Sequence, residues 1–545
     1  MDKNKEKKDQ MKKSIVLSGL VGTAGLFIAK MLGLFYSIPL SSILGSDAYM
    51  SYYGTAYRIY SYILNVFTAG FPFAIATLVA KYTVQDDPRA LRKIKKISMM
   101  LLSCTGFLGM VLLFVLSWPL GTLVAGKEGA AVMGTCLRIL SLAIFFVPIL
   151  SSFRGFWQGR KEMGEYAVSQ VFEQIFRVGF LLAMAYAVVY ILGLDRKYAL
   201  YVAVMSTSVA AVAGILQIYV FDKKNYKEIE DAAEQQKTKT IRKKKIFKEF
   251  IALAIPYLLV AVLGYCDDIF NSILLPVGLQ AHHYTTEQSD IILSAFNYVG
   301  TKMTAIPMIL SPGFAAALIP HITAARAEGD HKKIMKNVLD CLNIIFFVGL
   351  PVSFCIYLYA PDIFHILFYT TDPATAASCL HWLALEGFLA TITPVITNVL
   401  MALGMRREAL KNLLVNLVIK GVTMVPFIAI FGFPGAVLST IPGNLYIIFA
   451  SCKAMHKEYG IRFRKMWRVC MKSLIGLVFM FGTCYSLRMI GLDGAVGGKL
   501  PALAKFMANG LLVMMVYLGI SSIMKLPQTV FHMDIVSVVK TKLKK

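Results

Sequence analysis

The feature that most constrains this chain is the recurrence of continuous apolar runs about twenty residues long. Crossing a ~30 Å hydrocarbon core as an α-helix takes about 20 residues. Fourteen runs meet or approach that length: 15–40, 57–82, 97–118, 136–153, 167–192, 198–221, 250–277, 292–319, 338–358, 379–405, 410–431, 433–452, 466–490 and 501–524. They are unbroken rather than alternating, which excludes a transmembrane β-barrel. Only 16% of the 545 residues are charged, where a soluble domain carries roughly 25%, and the mean hydropathy is +0.64. The expected class is therefore an all-α polytopic membrane protein. The basic opening "MDKNKEKKDQMKK" precedes a run too long for a secretory leader, so the first run reads as a retained span.

Charge distribution orients the spans. The net charge is +25, which by itself would admit a nucleic-acid partner. Basic residues in or beside alternate connections, counted from the N-terminal tail, number 43, against 5 in the intervening connections. That is the positive-inside asymmetry. It predicts a multi-pass membrane protein with both termini cytoplasmic, and it explains the charge without nucleic acid. Nine cysteines are scattered without a Cys-x-x-Cys pair, so neither a metal site nor a disulfide framework is expected.

The first twelve spans divide into two sixes. A mixed-charge connection, residues 222–249, lies between spans six and seven. "FAIATLVAKYTVQDDPRALRKIKK" from Phe73 is echoed by "FAAALIPHITAARAEGDHKKIMK" from Phe314, and "QGRKEMGEYAVSQ" from Gln158 by "LGMRREALKNLLV" from Leu403. The two shifts, 241 and 245 residues, nearly agree. Six spans is an even number, so the halves are parallel repeats about an axis along the membrane normal. The expected organisation is an N-lobe (1–221), a basic cytoplasmic linker (222–249), a C-lobe (250–456), and spans thirteen and fourteen with a cytoplasmic tail (457–545), the lobes surrounding a central cavity.

Ionisable groups inside spans mark sites, because each costs roughly 2.5–3.5 kcal/mol at the bilayer centre on insertion scales. The basic set is Lys30, Arg58, Arg138, Arg177, Lys302, Lys420, Lys472 and Lys505. Arg138 and Lys505 lie near interfaces, where their heads reach water. Lys30, Arg58 and Lys302 fall in corresponding spans of the halves and are the candidate cations of the cavity. Among acids, Glu386 lies in span ten, and "YCDDIFNSILLP" puts Asp267, Asp268 and Asn271 on adjacent turns of span seven. These three either hold a cation or proton, or one of the aspartates pairs with Lys302. Glu173 and Arg177, four residues apart on one helical face, are placed to pair. The polar stretch containing them is either a packing and register device at the membrane surface or a direct part of a substrate path. "GAVGGKL" from Gly494 lacks the first glycine and the Ser/Thr of a phosphate loop, and no other enzyme signature is present.

"RGFWQGRKEMGEYAVSQVFEQIFRV", residues 154–178, resembles the Arg-Gly-x-x-Gln-Gly … Ser-Gln-x-x-Glu-Gln-x-x-Arg-Val pattern of MurJ-like and stage V sporulation protein B-like flippases. These form part of the multidrug/oligosaccharidyl-lipid/polysaccharide exporter superfamily, and the match is to its Gram-positive branch. Here the pattern is carried by Arg154, Gly155, Gln158, Gly159, Ser169, Gln170, Glu173, Gln174, Arg177 and Val178. "AKMLGL" around Lys30 and "GTKMTAIP" around Lys302 are similar to family segments that carry cavity-facing basic residues. Gram-negative members have arginines where this chain has Tyr36, Leu64 and Asn65, so that arginine cluster does not transfer.

The resemblance implies a non-enzymatic flippase for undecaprenyl-diphosphate-linked sugars, lipid II first among them. It implies no cofactor, with drive from Na⁺, H⁺ or the membrane potential. The partners implied are the lipid-linked glycan and the bilayer, with cell-wall synthesis proteins as candidate protein partners. A flippase of another lipid-linked glycan, such as a teichoic or capsular unit, fits the same residues. A drug exporter would prefer an acidic cavity, and a scaffold for cell-wall enzymes has no need of buried lysines.

Overall fold

The computed structural model describes residues 28–531, apart from residues 29–30, 34, 161, 237–240, 317–321, 324 and 327. Every regular element among them is helical. Among the described residues, eleven helices are long and apolar enough to cross a membrane. The chain divides into two compact units, Met1–Gly45 with Tyr52–Ile273, and Ser46–Ser51 with Leu274–Lys545.

The first unit begins with α1 (Ser37–Leu44), α2 (Asp47–Thr68), whose residues before Tyr52 belong to the second unit, and α3 (Phe71–Val84). The next element, α4 (Pro88–Gly159), runs 72 residues. Straight, it would measure about 108 Å, more than three bilayer cores. It is not straight: Gly126 sits at φ 64°, ψ −173°, a conformation that suits glycine, and breaks the helix into two arms. Ser152 donates to Ser98 at 3.1 Å and Arg138 to Ser117 at 3.1 Å. Because one partner number falls as the other rises, the arms fold back antiparallel. The two apolar runs 97–118 and 136–153 are therefore the two arms of one helical hairpin.

After it come α5 (Met163–Tyr186), continued by a π-helical turn to Ile191, α6 (Arg196–Asn225), the short α7 (Lys227–Gln235), α8 (Lys243–Gly264) and α9 (Cys266–Ala281). The connection expected as a polar linker is largely ordered. Within it α7 turns Ile229 and Ala233 inward and packs on α4. Asp222 is 5% exposed. It accepts from Lys95 at 2.6 Å and from the indole N–H of Trp157 at 3.0 Å, and the same ammonium lies 3.2 Å from the Tyr226 ring centroid. A buried carboxylate must be paired, and this pair fastens the start of the connection to α4. An apolar core of α3, α4 and α8, including Phe71, Ile75, Trp157, Ile246 and Phe250, lies alongside.

The second unit contains α10 (Thr286–Leu293), α11 (Thr301–Ala316), α12 (His331–Ile344), α13 (Leu350–Leu358), α14 (Ala360–Ile366), α15 (Pro373–Ala402), α16 (Arg406–Phe431), α17 (Pro434–Tyr459), α18 (Arg464–Met489), α19 (Lys499–Ile523) and α20 (Leu526–Phe531). Helix α15 is its axis, packed on α11, α13 and α17. The two C-terminal spans belong to this unit: Tyr517 on α19 donates to the Phe347 carbonyl at 2.9 Å, Tyr359 donates to Asn509 at 2.7 Å, and Arg488 pairs with buried Asp362. Helix starts are capped by aspartates. Asp87 accepts from the Ala90 N–H, and Asp330 from those of Lys332 and Lys333. Asp87 and Asp330 are 243 residues apart, close to the shifts of 241 and 245 between the echoed segments, and each caps a helix N-terminus.

Candidate functional site

The polar stretch at residues 154–178 folds as the end of α4, a turn, and the first turns of α5. Arg154 and Glu173 are each 7% exposed. The Arg154 guanidinium donates to the Glu173 carboxylate at 2.8 Å, to the Ser169 hydroxyl at 3.1 Å and to the Ser169 carbonyl at 2.8 Å. The other oxygen of Glu173 takes Arg177 at 2.9 Å. One carboxylate is thus shared by two guanidiniums, leaving one excess positive charge in the network. Arginine suits this, since its planar fork meets several acceptors at fixed geometry. The sequence anticipates the Glu173–Arg177 pair by its spacing; it gives no spacing signal for Arg154, fifteen and nineteen residues from its partners.

The small residues of the same stretch have a packing role. A Cβ on Gly155 would lie 2.9 Å from the Pro72 carbonyl, and one on Gly159 would lie 2.6 Å from that of Ala76. Four residues apart, the two glycines form a groove into which the backbone of α3 settles. Of the other motif residues, Gln158 and Gln170 are half-buried, and Gln174 holds a buried carbonyl oxygen that lacks a hydrogen-bond partner among the described residues.

Arg58 and Asp268 come together. Arg58 lies on α2 and Asp268 in the first turn of α9, with Nη1 and Oδ1 at 3.1 Å and side chains 12% and 26% exposed. Arg58 is thus a partner of Asp268. Asp267 is half-buried beside it and Asn271 is 6% exposed one turn on. Tyr36 and Tyr53 share a hydrogen bond at 2.9 Å, and Tyr57 bonds Thr207. Lys30 lies outside the described residues.

In the second unit, Lys302 occupies the first turn of α11 and is half-buried. Helix α11 approaches α15 closely, for a Cβ on Gly387 would lie 2.9 Å from the Thr304 side chain. Next to Gly387 on α15, Glu386 faces Lys420 of α16 at 3.8 Å, and the lysine is 1% exposed. The sequence showed these two charges as solitary members of adjacent spans, and that opposition was the available signal for their pairing. Lys472 donates to the Met524 carbonyl at 2.8 Å. Among the described residues no three His, Cys, Asp or Glu side chains are grouped to hold a metal.

Comparison with known proteins agrees with the resemblance read from the motif. The family model "Polysaccharide biosynthesis protein" matches residues 15–326. The chain is 29% identical over 451 residues to "Lipid II flippase MurJ" of Bacillus subtilis (strain 168), covering 80% of this chain and 81% of that protein. It is 21% identical over 462 residues to "Stage V sporulation protein B" of the same organism, covering 83% and 85%. The solved structure of "Lipid II flippase MurJ, inward closed conformation" superposes with TM-score 0.65 at 14% identity, covering 93% of this chain and 99% of that one. At that identity the superposition speaks for the fold, and the fold is shared. The two MurJ relatives are flippases by name rather than enzymes, matching the non-enzymatic reading. Matched over more than half its length by that model, the chain belongs to the polysaccharide biosynthesis protein family.

Proposed function

We propose that this protein is a flippase that moves an undecaprenyl-diphosphate-linked peptidoglycan precursor, lipid II, from the inner to the outer leaflet by alternating access. The observation that carries this reading is the similarity to a lipid II flippase across four fifths of both chains. The proposed architecture has fourteen spans in two six-span lobes, residues 1–221 and 250–456, joined by the basic connection 222–249 and followed by two further spans. The hairpin in α4 supports that count, because it supplies two crossings from one helical element. Both termini are proposed to be cytoplasmic, on the strength of the basic-residue asymmetry.

Lys30, Arg58 and Lys302 are the proposed contacts of the diphosphate. No group transfer is required, so the chemistry reduces to charge. Arg58 is held by Asp268, and Arg58 and Asp268 are proposed to act as one exchange. A diphosphate entering near Arg58 competes with Asp268 for the guanidinium, and Na⁺ or H⁺ on the released carboxylate compensates it, with Asp267 and Asn271 as neighbouring oxygen ligands. The membrane potential supplies about 2.3 kcal/mol per charge per 100 mV, which favours an inward-facing empty cationic cavity when the inside is negative. The family description equally admits another lipid-linked glycan as cargo.

The test is flipping of fluorescent lipid II in vesicles by the purified protein, beside Lys30→Gln/Lys302→Gln. Flipping abolished in the double variant supports both cargo and site. Flipping that survives discards the lysines. Absence of flipping by folded wild type discards lipid II as the cargo.

A further inference from the structure

We infer that the first unit carries a headgroup site for an anionic phospholipid, formed where the α3–α4 turn meets the start of α8. A cavity of about 770 Å³ opens there, lined by Arg242, Lys244, Lys245 and Lys248 together with Tyr82 and Asp87. Four cations against one carboxylate is an unbalanced lining. The carboxylate is moreover engaged: Asp87 caps α4 by accepting from the Ala90 N–H at 2.9 Å and also accepts from the Gln236 amide at 3.0 Å. Asp86 lies between the lining residues Gln85 and Asp87, and Glu249, next to Lys248, is taken by Lys81 at 2.8 Å and the Tyr82 hydroxyl at 3.0 Å. Among the described residues none of the four cations forms an ion pair within 4.0 Å. The lining therefore carries a net positive charge that Asp87 and the adjacent acids offset only in part.

The wall of the cavity is fixed in advance. Arg89 donates through Nε to the Ala233 carbonyl at 2.8 Å and through its backbone N–H to Gln236 at 3.0 Å, while Lys93 donates to the Ile241 carbonyl at 2.8 Å. Three bonds tie the chain on both sides of the cavity to α4, so a ligand meets a formed pocket rather than one it must order. The α8 N-terminus adds its dipole, since Arg242 at the N-cap makes no side-chain cap.

The choice of a lipid over a soluble anion rests on what flanks the cations. Phe247, between Lys245 and Lys248, is 43% exposed, and Val84, next to Gln85 at the end of a membrane-crossing helix, is 83% exposed. An aromatic ring and a branched aliphatic beside lysines at a span end match the boundary between headgroups and acyl chains. Basic pockets in that position recognise anionic headgroups, with about 1 kcal/mol from each cation. A free phosphate would use the cations and leave the apolar flank in water. This site is separate from the proposed lipid II path, and lipid retention is read without transport.

The test is native mass spectrometry of the full-length protein in detergent, titrated with phosphatidylglycerol or phosphatidylcholine. Lys244→Gln/Lys245→Gln/Lys248→Gln is compared with Arg462→Gln/Arg464→Gln/Lys465→Gln, which removes equal charge from exposed positions elsewhere. Wild type and the second variant are expected to retain phosphatidylglycerol preferentially, and the first to lose at least tenfold in apparent affinity. If the first variant does not fold, Arg242→Gln/Lys244→Gln is read in its place. Equal retention by the pocket variant, equal loss in both triple variants, or no preference by wild type would each overturn the site. Release of the lipid by millimolar inorganic phosphate or diphosphate would overturn the lipid assignment in favour of a soluble anion.

Discussion

Arg58 on α2 and Asp268 on α9, 210 residues apart in sequence, meet at 3.1 Å within the first unit. Both side chains are largely withdrawn from solvent, so removing either partner leaves a charge that the surroundings do not welcome. Breaking a buried pair by deleting one partner costs about 3–5 kcal/mol in general, and this partly exposed pair stands at or below the lower end. If the two act as an exchange, their substitutions have unlike signatures. Arg58→Gln removes a diphosphate contact and is expected to lower lipid II flipping at least tenfold. Asp268→Asn frees Arg58 and is expected to preserve or tighten cargo binding while slowing turnover and flattening its dependence on Na⁺ or pH. Paired binding and flipping measurements separate the cases; two variants with identical losses in both would reduce the pair to a structural contact.

The shared carboxylate of Glu173 makes a sharper prediction about stability. Glu173→Gln keeps the shape and leaves Arg154 and Arg177 facing each other without a counter-charge. The expected loss is about 3–5 kcal/mol, read as a fall in thermal unfolding temperature in detergent. Arg177→Gln, which removes the excess positive charge and leaves Arg154 bound to Glu173, is expected to cost distinctly less. A Glu173→Gln variant as stable as wild type would mean that water already screens the network.

Gly159 tests the packing role of the motif. Its absent Cβ would lie 2.6 Å from the Ala76 carbonyl and 2.7 Å from Val79, closer than atoms can approach, so Gly159→Ala must push α3 and α4 apart. Overpacking of this kind costs about 1–3 kcal/mol. Gly164→Ala, where nothing lies within 4 Å, is the matched control and is expected to be neutral in the same unfolding measurement. Val79→Ala in the Gly159→Ala background is expected to restore part of the loss.

What was legible in the sequence follows from the range of each signal. Apolar runs are a local quantity, so the all-helical, membrane-spanning class was readable. The Glu173–Arg177 pair was readable because helical geometry fixes what lies four residues away. Arg154, Lys95–Asp222 and Glu386–Lys420 were not, because their partners are chosen by helix packing, which no short window encodes. Nor was the short helix within 222–249 readable, because polar composition hid Ile229 and Ala233, whose spacing of four buries one side of a nine-residue helix. The 72-residue α4 shows the converse, where two separate runs proved to be arms of one helical element broken at a single glycine.

Asp290 supplies a prediction in pH. It sits on the short helix α10, outside the membrane-crossing helices, half-buried. Burial and then the neighbouring Asp47 carboxylate push its pKa from 3.8 up to about 6. Asp47 is itself 6% exposed, and one of its oxygens accepts from the Thr371 N–H and hydroxyl, both at 2.8 Å. It is thus fixed in place and cannot swing away. An acid whose pKa is raised by folding favours the protonated native state, so its contribution is present in full below about pH 4. It is lost as pH rises through about 6, when ionisation sets two carboxylates against each other. Wild type is therefore expected to lose thermal stability between about pH 4 and 6 relative to Asp290→Asn, which keeps the shape and cannot ionise. Asp47→Asn is expected to shift the wild-type transition to lower pH, since it removes the repulsion and leaves the burial. Parallel unfolding profiles for wild type and Asp290→Asn across that range would show that Asp290 is ionised throughout, with solvent or a cation compensating the pair.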